Sequence, residues 1–301
     1  MTRHKGGREV EYWLGVATLV GIYMIAVLGV SILCGFTGMF SMGHAGFMCI
    51  GAYVSALSTN FFGVPFYIGL IFGVIAAVLV GMLVGFSTLK LRGDYFVITT
   101  LALGEIVKLV VENFANVTGG AKGLPDVVAG TTFKIVLVLD IIIIILLVNF
   151  LKSKHGRNCI AIREEELAAK VIGIDVMKYK MIAMSISCAL TGLSGGLLAH
   201  YMHYLHPVMF NMVKSNELIV MVILGGQGSL IGTVVSTIFL VFLPEILRVG
   251  SAQEWRMFLY GVLVVIVIIA RPSGLFGNRE INLKTIKNFF KNIRLKTLGG
   301  N

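Results

Sequence analysis

The sequence predicts an all-α fold, a polytopic bundle of membrane-spanning helices, on three observations. Hydrophobic residues make up 57% of the 301 residues and charged residues only 13%, whereas soluble domains carry about 25% charged residues. Apolar segments of about 20 residues, the length that crosses a bilayer, recur along the chain. They are longer than the roughly 10-residue alternating segments of a membrane β-barrel. A soluble enzyme and a disordered chain are therefore excluded.

The apolar segments predict about eight crossings. Seven segments are long, and they cover residues 13–34, 64–89, 95–111, 135–151, 181–203, 230–247 and 255–270. A shorter crossing is predicted at residues 217–228. The weak segment 43–58 contains Gly43, Gly46 and Gly51, and we predict a broken or re-entrant element there that returns to the outer side. Non-helical backbone at this depth is tolerated where it lines a cavity.

Charge predicts the orientation. The net charge is +10, and the basic residues sit in the tails and between apolar segments. The positive-inside rule places three parts of the chain in the cytoplasm: the arm 1–12, the loop 152–180 with its seven Lys/Arg, and the tail 272–301. The membrane domain is then 13–271. The basic tail is expected to lie on anionic lipid, and nucleic acid is not an expected partner.

Two glycine-rich breaks are the first candidates for a translocation path, because interrupted helices expose backbone donors and acceptors. Gly43, His44 and Gly46 lie in the first half, and Gly225, Gly226, Gly228 and Ser229 in the second. His44 has two interpretations, lining the path or bonding a freed backbone carbonyl.

Ionisable residues inside the apolar segments give further candidates. Glu105 and Lys108 have the i, i+3 spacing that lets side chains meet on a helix face. They border the path or form a structural ion pair. His200, His203 and His206 could hold a metal, but no Cys or carboxylate accompanies them, and we expect no metal. The chain has no Gly-Lys dipeptide, so a Walker A motif is excluded. We also expect no catalytic activity.

The loop 152–180 contains a short amphipathic helix. Acidic residues favour a helix N-terminus, and Gly173 is suited to end the helix. Glu165, Ala168, Ala169 and Ile172 can share one face. The helix is either a solvated connector or an element that docks in a groove on a partner. The predicted coupling residues are Arg163, Glu164, Glu165, Glu166, Ala168, Ala169 and Gly173.

Four stretches resemble the LivM-type permease subunits of bacterial branched-chain amino acid ABC importers. They are Gly35-Phe36-Thr37-Gly38 with Ser41-Met42-Gly43-His44-Ala45-Gly46-Phe47; Leu91-Arg92-Gly93-Asp94-Tyr95-Phe96 with Thr99-Thr100-Leu101 and Gly104-Glu105-Ile106; Ala161-Ile162-Arg163-Glu164; and Gly225-Gly226-Gln227-Gly228-Ser229 with Arg271-Pro272-Ser273-Gly274-Leu275-Phe276-Gly277. Through this resemblance Thr99 and Thr100 join the expected path residues.

The resemblance implies a partner set. It consists of a second related permease, two ABC ATPase subunits that bind ATP and Mg²⁺, and an extracytoplasmic binding protein that delivers leucine, isoleucine or valine. The implied location is the bacterial cytoplasmic membrane. No proline lies between Pro125 and Pro207, unlike the coupling loop of the other importer class, so the implied fold is that of the cobalamin- and ribose-type permeases.

Two other functions stay open on the sequence. The same machinery could carry urea, short amides or another small solute, because the binding protein sets much of the specificity. Alternatively, the chain could be a stand-alone secondary transporter or channel that needs no ATPase.

Overall fold

The computed structural model describes residues 3–91 and 93–246, together with residues 261, 262, 265 and 274. Within this part the chain is a helical bundle, and its extended pairing is an isolated bridge between Leu124 and Leu205. The helices are α1 Arg3–Ser31, α2 His44–Phe62, α3 Phe66–Thr88, α4 Asp94–Asn113, α5 Ala115–Thr118, α6 Phe133–Lys152, α7 Lys154–Glu164, α8 Glu166–Val171, α9 Val176–Met202, α10 Met212–Gly225 and α11 Leu230–Ile246. A π-helical turn, Ile32–Phe36, prolongs α1.

Five helices among the described residues are long and apolar enough to cross a membrane. They are Val10–Phe36, His44–Phe62, Phe66–Thr88, Phe133–Lys152 and Val176–Met202. Helix α4 has 20 residues but carries several charges, and α10 and α11 have 14 and 17 residues. Most of the predicted span 255–270 and of the tail 272–301 lies outside the described residues.

The predicted re-entrant element at 43–58 is wrong. Helix α2 runs unbroken from His44 to Phe62, and the non-helical segment precedes it, at residues 37–43. The glycines inside α2 serve packing, because a Cβ at Gly46 would come within 2.8 Å of Gly104 Cα. Gly51 likewise packs against the backbone of Gly192. Small residues let membrane helices approach closely, so these glycines do not indicate a break.

The centre of the bundle is the packing of α2 and α3 on α9. Gly73 faces the carbonyl of Gly51, and Gly195 on α9 faces the carbonyl of Met48, so that an added Cβ would collide at either position. Gly192 packs against Ala77 in the same way. Glycine and alanine at these contacts let three backbones approach without side chains between them, which is how helices associate where lipid is as apolar as the protein.

The two ends of the bundle are fixed by contacts of α1. Near its start, the Tyr201 hydroxyl at the end of α9 donates to the Gly15 carbonyl over 3.0 Å. At its other end, Arg163 of the loop 152–180 donates to the Gly35 carbonyl over 2.8 Å. We call the end with residues 152–180 the loop end and the opposite one the far end.

The start of α1 and the loop 152–180 therefore lie at opposite ends of the described bundle, whereas the predicted map puts the arm 1–12 and this loop on one side. The difference arises at α2, which is a continuous helix where the map has a re-entrant element. The side of the membrane that each end faces stays a prediction. The loop end also holds the α3–α4 turn, since Leu91 and Asp94 border the same cavity as Glu165. The far end holds residues 114–132, because Asn60 donates to the Asp126 carbonyl over 3.3 Å.

This topology predicts the sidedness of two cysteine variants. Val10 is 61% exposed and Val171 is 87% exposed, whereas the four native cysteines are free and buried. In intact cells, a membrane-impermeant maleimide should label only one of Val10→Cys and Val171→Cys. Both should react after the membrane is permeabilised. Labelling of both variants in intact cells would contradict the fold.

Candidate functional site

Two non-helical connections lie at the loop end, one between α1 with its π-helical turn and α2 and one between α10 and α11, and they come close to each other. We call residues 37–43 the first break and residues 226–229, between α10 and α11, the second break. A Cβ added at Gly35, just before the first break, would lie 3.2 Å from the backbone nitrogen of Gly228. Gly274, from the sequence stretch 271–277 that resembles the family, lies against Gly226. Motifs that are far apart in the sequence thus meet in one place.

Arg163 lies at this meeting point. Its Nη1 donates to the Gly35 carbonyl over 2.8 Å, and its stem would meet a Cβ at Gly38 at 3.0 Å. A Cβ at Gly228 would collide with the guanidinium. One side chain of the loop therefore contacts both breaks.

Three other helices hold the first break and the start of α2. The Met42 amide donates to Thr100 Oγ1 of α4 over 3.1 Å, and the Ala45 amide donates to Ser215 Oγ of α10 over 3.0 Å. Backbone groups that lack helical partners inside a membrane must be satisfied within the protein. The break is therefore a built element whose partners come from distant parts of the sequence.

His44 supplies the contact with α9. Its Nδ1 donates to the Ser41 carbonyl over 2.9 Å, and its Nε2 hydrogen-bonds with Ser187 Oγ, also at 2.9 Å. The ring is completely buried, and both nitrogens are used. Of the two interpretations of His44, the structure shows the one in which it satisfies the backbone.

Sequence reasoning missed Ser187 and Ser215. They lie 143 and 170 residues from the groups they bond, so no local sequence spacing predicts these two hydrogen bonds. Their only sequence signal is a serine in an apolar segment, where an unpaired hydroxyl is costly. The two threonines predicted to line the path, Thr99 and Thr100, have different environments. Thr100 is buried against Gly43, whereas the Thr99 hydroxyl bonds back to the Tyr95 carbonyl over 2.7 Å.

The second break is a tight glycine turn. Gly226 and Gly228 have φ of +104° and +88°, a backbone conformation that favours glycine. Gly225 packs directly on Gly232, which brings the ends of α10 and α11 together. Ser229 begins α11, and its Oγ accepts from the Gly232 amide over 3.1 Å.

Glu105 and Lys108 form an ion pair with 3.0 Å between Oε2 and Nζ. Glu105 also reaches a second helix, since its Oε1 accepts from the Met212 amide over 3.0 Å. Met212 is the first residue of α10, and a carboxylate there stabilises the helix dipole. The ion pair is therefore observed, and Glu105 joins the middle of α4 to the start of α10, close to Gly104 and the start of α2.

The three histidines near the far end make separate contacts. His200 pairs with Ser55 Oγ at 2.9 Å, and His203 Nδ1 lies 3.3 Å from the Val127 carbonyl. His206 accepts from the Val208 amide over 3.2 Å. Among the described residues, no group of three His, Cys, Asp or Glu side chains is placed to hold a metal.

The predicted amphipathic helix of the loop is α8, and its exposed face differs from the prediction. Ala169 is buried, and Glu165 caps the helix by accepting from the Leu167 amide over 3.3 Å. The exposed apolar residues are Leu167, Val171 and Ile172, at 61%, 87% and 74% exposed. The six-residue helix packs one face against the bundle and leaves the opposite face exposed.

Ion pairs hold α8 to the bundle. Glu166 accepts from Lys180 of α9 over 2.7 Å and from Lys170 over 3.1 Å. The hydrogen bond from Lys180 is the main cause that lowers the pKa of Glu166. Gly173 follows with φ +83° and ends the helical segment. Beside α8 lies a cavity of about 480 Å³, lined among others by Gly38, Phe40, Asp94, Glu165 and Lys180.

The hydrogen bond from Ala45 to Ser215 predicts a stability difference between two serine variants. Ser215→Ala leaves a buried amide at the start of α2 without its partner, which costs about 1 kcal/mol. The matched control is Ser185→Ala, because the Ser185 hydroxyl bonds only back to Met181 of its own helix over 2.8 Å. Thermal unfolding of the purified protein in detergent should show a lower midpoint for Ser215→Ala than for the control. Equal midpoints would disprove the role given to Ser215.

Comparison with known proteins agrees with this arrangement. Residues 12–268 match the family described as the branched-chain amino acid transport system / permease component. The chain is 32% identical to the high-affinity branched-chain amino acid transport system permease protein LivM of Escherichia coli, over 91% of this chain and 72% of that protein. The Salmonella typhimurium LivM protein is 30% identical over 89% of this chain and 71% of its own length.

A second group of relatives matches at lower identity. The permease protein LivH of Salmonella typhimurium is 22% identical, over 88% of this chain and 94% of that protein. No solved structure gives a significant match, so the resemblance to cobalamin- and ribose-type permeases stays a prediction. The family match extends over the described bundle and includes both breaks and the loop with Arg163; the chain therefore belongs to the family of branched-chain amino acid transport system permease components.

Proposed function

We propose that the chain is a membrane subunit of an ABC importer that moves leucine, isoleucine and valine into the cell. The observation that carries the proposal is the exposed apolar face of α8 in a loop that is otherwise basic, in a chain of this family. Three apolar side chains, Leu167, Val171 and Ile172, point away from the bundle beyond the end of the membrane helices. Such a face is suited to a groove on a soluble partner, and an ABC ATPase is the partner that an importer requires.

Charge supports a cytoplasmic loop end. The loops 89–93 and 152–180 contain two and seven Lys/Arg, whereas the far-end loops 63–65, 114–132 and 203–211 contain one, Lys122. The positive-inside rule then puts α8 in the cytoplasm. The arm 1–12, with three Lys/Arg, lies on the outer side, and the single impermeant label of intact cells is expected on Val10→Cys.

The proposed assembly contains a second, related permease. The support is that both LivM and LivH proteins match this chain. Two ATPase subunits bind ATP and Mg²⁺, since this sequence has no Walker A motif. An extracytoplasmic binding protein delivers the amino acid to the far end. Lipid surrounds the assembly in the cytoplasmic membrane.

The proposed path follows α4. Glu105, Lys108 and Glu112 share one side of α4 and are half-buried, and charged groups within a membrane face a protein interior or an aqueous cavity. The second permease is proposed to cover this stripe. The pair Glu105–Lys108, midway along α4, then borders the middle of the path, and the two breaks lie toward the cytoplasmic exit. Gly43, Gly225 and Ser229 act there by shaping the backbone.

Docking through α8 predicts the effect of charge on its exposed face. The double variant Leu167→Asp with Val171→Asp should lower leucine uptake by roughly 10- to 100-fold, because burying an apolar side chain contributes about 1.5–3 kcal/mol and 1.4 kcal/mol is about a factor of ten. The measurement is ATP-dependent uptake of labelled leucine into proteoliposomes that contain the whole complex. Lys154→Asp, an exposed change on α7 in the same loop, is the control and should transport normally.

The same assay separates the alternatives. Co-purification of the double variant should lose the ATPases while the second permease stays bound. If the double variant keeps its ATPases and its uptake, docking through α8 is wrong. Uptake of urea or an amide in preference to leucine would change the cargo and keep the machinery. Uptake by the wild-type chain alone, without ATP, would replace the importer by a secondary transporter or channel.

A further inference from the structure

Arg163 is a basic residue of the loop whose charged group contacts the membrane helices. It is the penultimate residue of α7, three residues before the start of α8, yet its guanidinium points back into the bundle. Nη1 donates to the Gly35 carbonyl over 2.8 Å, and Nε and Nη2 donate to Glu164 Oε1 over 3.1 and 2.5 Å. All three nitrogens therefore have partners. Because Glu164 fixes the plane of the guanidinium, the direction of the bond to Gly35 is fixed as well.

We propose that Arg163 is the transmission residue of the permease, the side chain through which a displacement of α8 moves the first and second breaks together. The inference rests on the proposed function, because α8 is displaced only if an ATPase docks there. It deepens that function by naming the route from the docking helix to the membrane helices.

The connection between α8 and Arg163 is short and stiff. Helix α7 is packed on the bundle through Cys159 and Ile162, which are buried. A single extended residue, Glu165, separates α7 from α8. Glu166, the first residue of α8, is held by Lys180 and Lys170. A force on the exposed face of α8 is therefore transmitted to the end of α7, where the guanidinium is attached.

The breaks are built to accept the arginine. Gly38 and Gly228 have φ of +75° and +88°, and an added Cβ at either would meet the Arg163 side chain. Glycine is thus required twice at the same contact, for backbone conformation and for space. A Cβ added at Gly35 would likewise lie 3.2 Å from the Gly228 nitrogen, so the two breaks and Arg163 are in mutual contact.

The structure also provides room for the movement. The cavity of about 480 Å³ is bordered on one side by Gly38, Met39 and Phe40 of the first break and on the other by Glu165 and Leu167. Packed interiors resist displacement, but this part of the first break faces space. Gly38, Met39 and Phe40 therefore have space on the side that faces α8.

The test is a comparison of coupling in the assembled complex. Leucine uptake and ATP hydrolysis are measured side by side in proteoliposomes with the binding protein present. Arg163→Gln should leave ATP hydrolysis within about twofold and lower the uptake per ATP by more than tenfold. Arg163→Lys should fall between, because lysine keeps the charge but lacks the planar fork of donors. Arg157→Gln, an exposed arginine on the same helix, should behave as the wild type.

Two further variants decide the question if Arg163→Gln does not assemble. Glu164→Gln releases the guanidinium plane, and Gly228→Ala disturbs the contact from the second break; each should lower the uptake per ATP. An unchanged ratio in these variants, or in an assembled Arg163→Gln complex, would overturn the inference and leave the importer function intact. A wild-type complex whose uptake does not depend on ATP would overturn both. A parallel loss of uptake and hydrolysis would show a merely structural role and would also overturn the inference.

Discussion

Inside a membrane, every backbone amide and carbonyl must find its partner within the protein, and the rest of this structure depends on how the two breaks meet that requirement. The first break obtains partners from Thr100, Ser187 through His44, and Ser215. These groups belong to α4, α9 and α10. Arg163 adds a bond to the carbonyl of Gly35. The break is thereby hydrogen-bonded to helices that are distant from it in the sequence.

Close approach of backbones is the second condition. Where α2, α3 and α9 meet, glycines such as Gly51 and Gly195 face backbone atoms directly. Without a hydrophobic difference between lipid and protein, such contacts stabilise a bundle by packing. They also leave α2 straight and spanning, which places the arm 1–12 and the loop 152–180 at opposite ends. The relative placement of these two segments therefore depends on a helix whose glycines look, in the sequence alone, like helix breakers.

The loop end contains the residues to which the proposed function assigns docking and transmission. One side of α8 is attached by Glu166 to Lys180, and the other presents Leu167 and Val171 to a partner. Arg163 joins the same loop to both breaks. The proposed docking face of α8, the proposed transmission residue Arg163 and the first break are thus close in space. A cavity lies between α8 and the first break. Glu105, in the middle of α4, joins α4 to the start of α10.

The sequence by itself determined that the chain is a membrane protein and that its fold is helical. A low charge content and apolar segments of membrane length dictate a helical membrane bundle, because only such segments satisfy their own backbone in lipid. Short motifs around Gly43, Arg163 and Gly228 also sufficed to indicate the family. The i, i+3 spacing of Glu105 and Lys108 predicted their ion pair, because that geometry is local to one helix.

Only the tertiary structure decided that α2 is unbroken, which face of α8 is exposed and which groups are the partners of the breaks. A glycine in an apolar segment is compatible with a break or with close packing, and the neighbouring helix decides between them, as Gly104 does for Gly46. Ala169 and Ile172 share a predicted face, yet Ala169 is buried and Ile172 is exposed, and the ion pair of Glu166 with Lys180 of α9 attaches one side of this short helix to the bundle. The contacts of Arg163 join residues 128 positions apart. Such contacts leave no periodic trace in the sequence, because they arise only when the bundle is packed.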